Sequence, residues 1–357
     1  MATPDGDYSI YIGAHLLKSD LLSTLSQRAK FSQHCALITN PRVAHLYASR
    51  VLETLRGVGL EPHIIEIPEG ERFKTLETVR TIYDRLIGAH LDRRSVVFAL
   101  GGGVVGDVAG FAAATFLRGV PFVQLPTTLL AMVDASIGGK VAVDHPLGKN
   151  LIGAFKHPCA VVADTDALIT LPDVEWRAGM AEVVKHAIIG DPVLFDDLGD
   201  AGRSDVEEWL GRAVQVKTEI VMRDPHEQGE RAKLNLGHTF GHALEQVSDY
   251  GIRHGDAVAI GLVCSARLAH RFGIADPNLE WRIQELLLAI GLPTRIPAEL
   301  STEAILDAML ADKKWIDGRL RFILPRRLGD VVTVDRVASE LVAQVIEDLR
   351  YADREEK

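Results

Sequence analysis

The chain is poor in cysteine, and its cysteines are widely separated. Cys35, Cys159 and Cys264 are the three cysteines among 357 residues, and no CxxC pair occurs. A disulfide framework needs an even set of cysteines, and a cysteine zinc knuckle needs closely spaced pairs. The sequence supports neither, so we expect a reducing, cytoplasmic environment.

Positive charge is also scarce. The chain has 39 lysines and arginines against 49 aspartates and glutamates, which gives a formal net charge of −10. Binding along a nucleic-acid backbone normally needs a positive face, so we expect no nucleic-acid partner. A local cationic pocket is still compatible with an acidic chain.

A long uninterrupted apolar run is missing too. The most apolar stretch, 95–117, contains five glycines and Asp107, which favours a buried strand, turn and helix over a membrane span. The first residues contain neither the basic segment nor the apolar segment of a secretory signal. We therefore expect neither membrane insertion nor secretion.

The pattern of apolar residues predicts two domains of different class. Before residue 170, short apolar runs alternate with helical patterns, which favours an α/β domain with a parallel sheet, a variant of the Rossmann arrangement. After it, long amphipathic helices dominate, so we expect an α/β domain over 1–170 and a mostly α-helical domain over 171–357. The predicted strands are 35–39, 63–67, 95–100, 122–125 and 160–163, and the predicted helices are 41–55, 75–89, 172–189, 206–223, 232–247, 256–271 and 278–290.

A glycine-rich turn follows the third predicted strand. The run 101–107, GGGVVGD, fits G-x-G-x-x-G and opens a helix, where backbone N–H groups can hold a phosphate. The acidic residue expected about 20 positions later to hold a ribose is absent, because that region reads Gln124-Leu125-Pro126. Nucleotide binding in a variant arrangement and tight helix–strand packing both remain possible.

A second polar segment, predicted as a loop over 126–150, contains two Gly-Lys pairs. Neither Gly139-Lys140 nor Gly148-Lys149 is a Walker A motif, because no Ser or Thr follows the lysine. These lysines fit either a phosphate or carboxylate ligand or a solvated surface.

The most informative pattern is a polar stripe within the helix predicted over 232–247. Arg231, Asn235, His238, His242 and Glu245 recur at steps of four and three, which places them on one helical face. Gly237 and Gly241 lie beside this stripe, as expected where something approaches the backbone closely.

Histidines and a glutamate on three predicted helices form a possible metal site. Paired histidines four residues apart can share a metal ion, and one carboxylate with two or three imidazoles is typical of catalytic zinc with an open position. The spacing alone does not choose three ligands among Glu182, His186, His238, His242 and His254.

Taken together, these motifs resemble the 3-dehydroquinate synthase family, a group within the sugar-phosphate cyclases, over nearly the whole chain. The resemblance rests on the segments 101–107, 118–121, 126–130, 145–150, 182–185, 235–242 and 312–314. It implies a cytoplasmic, homodimeric lyase of the shikimate pathway for aromatic amino-acid biosynthesis. The implied enzyme uses NAD⁺ and a divalent ion, zinc or cobalt, to convert 3-deoxy-D-arabino-heptulosonate 7-phosphate into 3-dehydroquinate and phosphate. The implied steps are transient oxidation, phosphate elimination, re-reduction and aldol closure.

The resemblance also implies roles for individual residues. The metal ligands would be Glu182, His238 and His254, with His242 as an acid/base group and Glu227 as a proton acceptor. Substrate contacts would be Arg118, Asp134, Lys140, Asn150, Lys185, Lys217, Arg231, Asn235 and Lys313 or Lys314. NAD⁺ contacts would be Glu71, Lys74, Gly103, Val104, Val105, Gly106, Asp107, Thr127, Thr128, Lys140, Lys149, Ala167, Leu168, Ile169 and Thr170.

Two positions depart from the family pattern. Val141 and Asp144 stand where the family commonly has Thr and Asn, which affects the hydrogen bonds expected around the cofactor. The competing hypotheses are another sugar-phosphate cyclase, a metal-dependent polyol dehydrogenase, and a non-catalytic nucleotide-binding module. Lys140, Lys149, Lys185 and Lys217 argue against a dehydrogenase, which needs no dense set of phosphate-binding lysines.

Overall fold

The structure is a computed structural model that describes residues 1–3, 6–18, 21–22, 24–25, 31–199, 202–313 and 321–351, the side chains of 311–313 excepted. It divides into two compact units, Met1–Trp176 and Arg177–Lys357. No helix within the described ranges has both the length and the apolar character needed to cross a membrane.

The first unit is built from strands that alternate with helices. Its strands are β1 (Ser9–Gly13), β2 (His34–Thr39), β3 (Glu61–Glu66), β4 (Val97–Gly101), β5 (Phe122–Pro126), β6 (Lys140–His145), β7 (Gly148–Phe155) and β8 (Ala160–Asp164). Its helices are α1 (41–57, with a wider turn at Ala44–Ala48), α2 (Leu76–Gly88) and α3 (Gly103–Thr115). All five predicted strands are present, and β1, β6 and β7 were not predicted.

Six of these strands form one parallel sheet in the order β1-β8-β5-β4-β2-β3. The chain moves from β2 outward to β3 and then crosses to β4 on the opposite side of β2. This reversal is a topological switch point, where the carboxyl ends of parallel strands leave a crevice for ligands. The predicted Rossmann-like α/β fold of this part of the chain is confirmed.

Helix α3 is enclosed on both sides. It contacts β4 and β5 of the sheet and also the antiparallel pair β6–β7. Val105, Val108 and Ala112 are buried within it, as expected for a helix that is apolar all round. The approach of β6 requires a glycine, because a Cβ at Gly110 would lie 2.4 Å from Cγ1 of Val141.

The prediction of a single polar loop over 126–150 is wrong for its second half. Lys140–His145 and Gly148–Phe155 form a hairpin, with Lys140 paired to Phe155 and His145 to Gly148. The alternation of buried Val141 and Val143 with more exposed neighbours is a strand pattern. The polar residues around these valines obscured it in the sequence.

The second unit is mainly helical, which confirms that part of the fold prediction. Its helices are α4 (Asp173–Gly190), α5 (Pro192–Asp197), α6 (Val206–Arg223), α7 (His238–Val247), α8 (His254–Arg271), α9 (Leu279–Ile290), α10 (Thr302–Lys313) and α11 (Ser339–Asp348). The hairpin β9 (Arg321–Arg327) and β10 (Asp330–Asp335) was not predicted.

The helix predicted over 232–247 begins six residues late. Residues Glu230–Asn235 form a separate 3₁₀ segment, and Gly237 has a left-handed backbone with φ +80°. A Cβ at Gly237 would lie 3.1 Å from the backbone nitrogen of Leu262, and one at Gly241 would lie 3.2 Å from the carbonyl oxygen of Ala257. The partner that approaches these two glycines is therefore helix α8.

We expect Gly261→Ala to destabilise the second unit. The added Cβ would lie 2.1 Å from the carbonyl oxygen of Gly237, so the backbones of α7 and α8 would have to separate. Overpacking of this kind costs about 1–3 kcal/mol. A lower urea midpoint, followed by far-UV circular dichroism, would measure the loss.

Gly211→Ala is the matched control for this substitution. Gly211 lies in α6, and a Cβ added there would have nothing within 4 Å. Alanine there should stabilise the helix by about 0.5–1 kcal/mol. Equal shifts for the two variants would contradict the steric explanation.

Candidate active site

Many residues assigned to NAD⁺ by resemblance follow the carboxyl ends of neighbouring strands. Gly103–Asp107 follow β4, Thr127 and Thr128 follow β5, and Ala167–Thr170 follow β8. Because β8, β5 and β4 are adjacent and parallel, these segments lie along one edge of the sheet. The glycine turn is next to the switch point between β4 and β2, where a nucleotide is expected.

The glycine turn combines features of both sequence hypotheses. A Cβ at Gly106 would lie 2.8 Å from Oε1 of Gln124 on β5, so this glycine permits tight packing of α3 on the sheet. At the start of the helix, the N-cap is Gly102, which has no side chain to cap the first turn. Such an N-terminus presents N–H groups and a partial positive charge to an anion.

A buried lysine organises the polar side chains beside this turn. Lys74 is 5% exposed; its Nζ lies 2.7 Å from Oδ2 of Asp107 and 3.9 Å from Oε1 of Glu71, and it donates a hydrogen bond to Oδ1 of Asn150. Burial raises the pKa of Asp107 to about 6, against the opposing effect of Lys74. Burial lowers the pKa of Lys74, but Asp107 and Glu71 outweigh this and raise it.

The two departures from the family pattern have distinct consequences. Asp144 accepts a hydrogen bond of 2.8 Å from the backbone nitrogen of Asn150, whose φ is +56°, and it donates its own N–H to the carbonyl of Lys74. A carboxylate oxygen thus serves where an asparagine oxygen would. Val141 is buried against α3, so it is a packing residue.

Other assigned residues of the first unit lie on different elements. Lys140 is exposed at the start of β6, and Asp134 lies in the wide turn Ala131–Ala135. Lys149 is half-buried on β7. Arg118 follows the far end of α3, and a 13-residue helix spans about 20 Å, so Arg118 is well separated from the glycine turn.

In the second unit, Glu182 is the centre of a separate cluster. It is fully buried on α4, and its Oε2 forms an ion pair with Nζ of Lys185, one turn later and also buried. Its Oε1 lies 3.1 Å from Nε2 of His254 and 3.6 Å from Nε2 of His238. One carboxylate oxygen therefore faces two imidazole nitrogens.

These three side chains fit a divalent ion. Among the described residues of this unit, Glu182, His238 and His254 each offer a ligand atom, and these atoms all lie within 4.8 Å of one another. Two ligands about 2.1 Å from a tetrahedral ion are separated by about 3.4 Å, which matches the spacing from Glu182 to each histidine. His186 is buried on the same helix as Glu182 and is not part of this triad.

The two histidines are oriented by their second nitrogens. Nδ1 of His238 lies 3.1 Å from the carbonyl oxygen of Leu236, and Nδ1 of His254 lies 3.3 Å from Oε2 of Glu245. Both acceptors leave Nε2 directed toward Glu182, the arrangement common for metal-binding histidines.

The protonation of the two histidines differs. Burial, assisted by the charge of Lys185, lowers the pKa of His238 to about 3, so its ring is neutral as a metal ligand must be. Burial also acts to lower the pKa of His254, but its hydrogen bonds with Glu182 and Glu245 outweigh burial and raise the pKa to about 10. His242, one turn beyond His238, is exposed, with its ring centroid 5.2 Å from that of His238.

A loop after α6 holds further assigned residues. Asp224 accepts backbone hydrogen bonds from Gln228, Gly229 and Arg231 at 2.7–3.0 Å, and the bonds from Arg231 and Gln228 lower its pKa. The buried side chain of Arg231 donates to the carbonyl of Pro225.

The same loop positions an amide and a carboxylate together. Nδ2 of Asn235 donates to Oε1 of Glu227 at 3.1 Å, and Glu227 has a left-handed backbone with φ +58°. Lys217 is buried on α6. Of the two C-terminal candidates, Lys313 is described only as the end of α10, and Lys314 lies outside the described residues.

Sequence reasoning missed the functions of two acids. Glu245 belongs to the polar stripe, and its position seven residues after His238 was a usable pattern. Asp224 had no comparable pattern, because its partners are the backbone N–H groups of a loop whose path the sequence does not reveal.

Comparisons with known proteins agree with the sequence resemblance. The chain matches the family model "3-dehydroquinate synthase N-terminal" over residues 64–178 and "3-dehydroquinate synthase C-terminal" over 179–315. It is 47% identical over 332 residues to the 3-dehydroquinate synthase of Desulforamulus reducens, covering 91% of this chain and 92% of that protein.

Two solved structures are similar over most of their length. One is 2-epi-5-epi-valiolone synthase from Streptomyces hygroscopicus with NAD⁺ and Zn²⁺ bound (TM-score 0.88, 29% identity, 98% of each chain covered). The other is 2-deoxy-scyllo-inosose synthase complexed with carbaglucose-6-phosphate, NAD⁺ and Co²⁺ (TM-score 0.85, 28% identity, 95% and 96% covered). With both family models matched in order and a relative at 47% identity across nine-tenths of its length, the chain belongs to the 3-dehydroquinate synthase family.

Proposed function

We propose that the chain is a carbon–oxygen lyase that converts 3-deoxy-D-arabino-heptulosonate 7-phosphate into 3-dehydroquinate and phosphate. The observation that carries this proposal is the convergence of Glu182, His238 and His254 in a chain 47% identical to a 3-dehydroquinate synthase. The reaction consists of an oxidation, an elimination, a reduction and an aldol closure, so it needs NAD⁺, a divalent ion and proton-transfer groups.

We assign cofactor binding to the first unit, with a boundary near residue 170. The N-terminus of α3, whose N-cap is a glycine, suits the pyrophosphate, and the segments after β4, β5 and β8 suit the rest of the nucleotide. When bound, NAD⁺ supplies a hydride acceptor that returns the hydride later in the same turnover. Lys74 holds Asp107 and Asn150 in place, so it positions residues assigned to the cofactor and to the substrate.

The second unit is assigned to metal and substrate binding. Glu182, His238 and His254 would hold Zn²⁺ or Co²⁺, and such an ion lowers the pKa of a bound hydroxyl group. Lys185 forms an ion pair with the Glu182 carboxylate one turn earlier on α4. The Nδ1 atoms of both histidines have other partners, so Nε2 is the ring nitrogen that faces Glu182.

Cationic and amide side chains would hold the two acidic groups of the substrate. A phosphate dianion and a carboxylate are best bound by lysine, arginine and amide groups, which also restrict a flexible substrate to a reactive conformation. The proposed set is Arg118, Lys140, Asn150, Lys185, Lys217, Arg231, Asn235 and Lys313 or Lys314. Asp134, a carboxylate, is proposed as a substrate contact outside these two acidic groups.

Two side chains are proposed for proton transfer. His242 is exposed, with its ring beside that of His238, and Glu227 is held by the amide of Asn235. Either can accept a proton released at the substrate, as can the departing phosphate itself.

The alternatives are less well supported. The two cyclase structures described above are 28–29% identical to this chain, whereas the relative at 47% is a 3-dehydroquinate synthase. A polyol dehydrogenase would have no use for buried Lys185, Lys217 and Arg231. We also propose a cytoplasmic homodimer, as the family resemblance implies; sedimentation analysis would test the oligomeric state.

Product stoichiometry tests the reaction class. We expect one phosphate released per 3-deoxy-D-arabino-heptulosonate 7-phosphate, at catalytic NAD⁺ and with no net NADH, because the hydride returns to the substrate. Chelation should stop phosphate release and added Zn²⁺ or Co²⁺ should restore it. Accumulation of NADH without phosphate would show a dehydrogenase instead.

His238→Ala tests the metal site. We expect loss of turnover and of bound metal, with an unchanged circular dichroism spectrum, because one of three ligands is removed. His270→Ala is the control, since His270 is exposed near the end of α8. Full metal occupancy in the His238 variant, measured by elemental analysis, would refute this ligand.

Lys140→Ala tests the assignment of that lysine to substrate. An interaction with an ionised group contributes about 1.5–3 kcal/mol, so we expect KM for the substrate to rise about 10- to 150-fold. The NAD⁺ dissociation constant should change little. Equal losses of affinity for substrate and for NAD⁺ would reassign Lys140 to cofactor binding. Lys18→Ala is the control, because Lys18 is exposed.

A further inference from the structure

Glu245 is a buried carboxylate with no role in the substrate or ligand set described above. It lies on α7, seven residues after His238 and three after His242, and it is 4% exposed. A buried carboxylate is costly unless a compensating partner is close. Its Oε2 faces Nδ1 of His254 at 3.3 Å, so a proposed metal ligand is one of its compensating partners.

The backbone of Glu245 anchors the loop that leads to this histidine. Its carbonyl oxygen accepts hydrogen bonds from Oγ of Ser248 at 3.0 Å and from the backbone nitrogen of Tyr250 at 2.7 Å. Oγ of Ser248 in turn accepts from the backbone nitrogen of Ile252, two residues before His254. One residue therefore fixes both the path of the loop and the ring at its end.

His238 provides an internal comparison. Its Nδ1 lies beside a neutral acceptor, the carbonyl oxygen of Leu236, whereas that of His254 lies beside a carboxylate. Both arrangements direct Nε2 toward Oε1 of Glu182. Only the carboxylate adds negative charge near the ion site and makes the histidine a stronger electron donor.

We propose that Glu245 is a positioning residue of the metal site, which holds the His254 ring and increases the affinity for a divalent cation. The inference rests on the proposed function, because it takes Glu182, His238 and His254 as the ligands. It predicts that Glu245 acts on metal affinity through charge as well as through placement.

The test compares the zinc dissociation constants of wild type, Glu245→Gln and Glu245→Asp. Metal-free proteins are titrated with Zn²⁺ against a chromophoric chelator, and no turnover is measured. Loss of such a partner typically weakens metal binding about 10- to 100-fold, which we expect for Glu245→Gln. Glu245→Asp keeps the charge on a shorter side chain, so its loss should be smaller.

Glu340→Gln is the matched control for the change of charge. Glu340 is exposed in the first turn of α11, and its substitution should leave the zinc affinity unchanged. Visible spectra of the Co²⁺-loaded proteins give a second readout. At saturating Co²⁺, Glu245→Gln should keep a three-ligand spectrum, because His254 is weakened and not removed.

The outcomes separate the inference from the function on which it rests. Suppose that His238→Ala loses its metal but Glu245→Gln binds zinc within about twofold of the wild-type affinity. That result would overturn the role of Glu245 and leave the proposed function in place. A wild type that binds no divalent ion would overturn the proposed function and the inference together. If Glu245→Gln does not fold, Glu245→Asp is compared with His254→Ala. The proposal is overturned if Glu245→Asp binds zinc no more tightly than His254→Ala does.

Discussion

The second unit depends on the burial of one carboxylate. Glu182 is fully buried, and a charge in that position is stable only where other charges and hydrogen bonds surround it. Lys185 engages one of its oxygens, and the imidazoles of His238 and His254 face the other. Three helices must therefore pack closely enough for side chains from all of them to meet. Small residues permit this approach: a Cβ at Gly255 would lie 2.3 Å from Cα of Ala178, so α8 passes directly against α4.

The first unit uses a buried ion pair in a similar way. Lys74 and Asp107 connect the segment after β3 to the glycine turn, and Asn150 adds the hairpin that covers α3. The Lys74 ammonium group lies among carboxylates, which favour its protonated form despite burial and so raise its pKa. Residues from three separate parts of the chain are thus held beside the carboxyl edge of the sheet. Rigid supports of this kind suit chemistry in which a small displacement of a reacting group is costly.

Several features could be predicted from local pattern alone. Strands at 35–39, 122–125 and 160–163 were recognisable because a parallel sheet covered on both faces needs continuous apolar runs. The stripe of His238, His242 and Glu245 was recognisable because a helix returns to the same face every three to four residues. The same rule failed for Arg231 and Asn235, because Gly237 adopts a left-handed backbone and interrupts the helix. The hairpin β6–β7 was missed because its buried valines, Val141 and Val143, are flanked by charged and polar residues on both sides.

The amino-acid sequence by itself determined the fold class, the family and the types of side chain available for the chemistry. These follow from periodicity and from short motifs, which are local properties of the chain. Only the tertiary structure decided which donors meet: His238 and His254 face the same oxygen of Glu182, while His186, buried one turn further along α4, is not part of that triad. It also decided that Glu245 orients His254 and that Asp224 organises the loop of Glu227 and Arg231. Such contacts depend on how close two helices approach and on the path of a loop, and both are set by packing between residues that are distant in the chain.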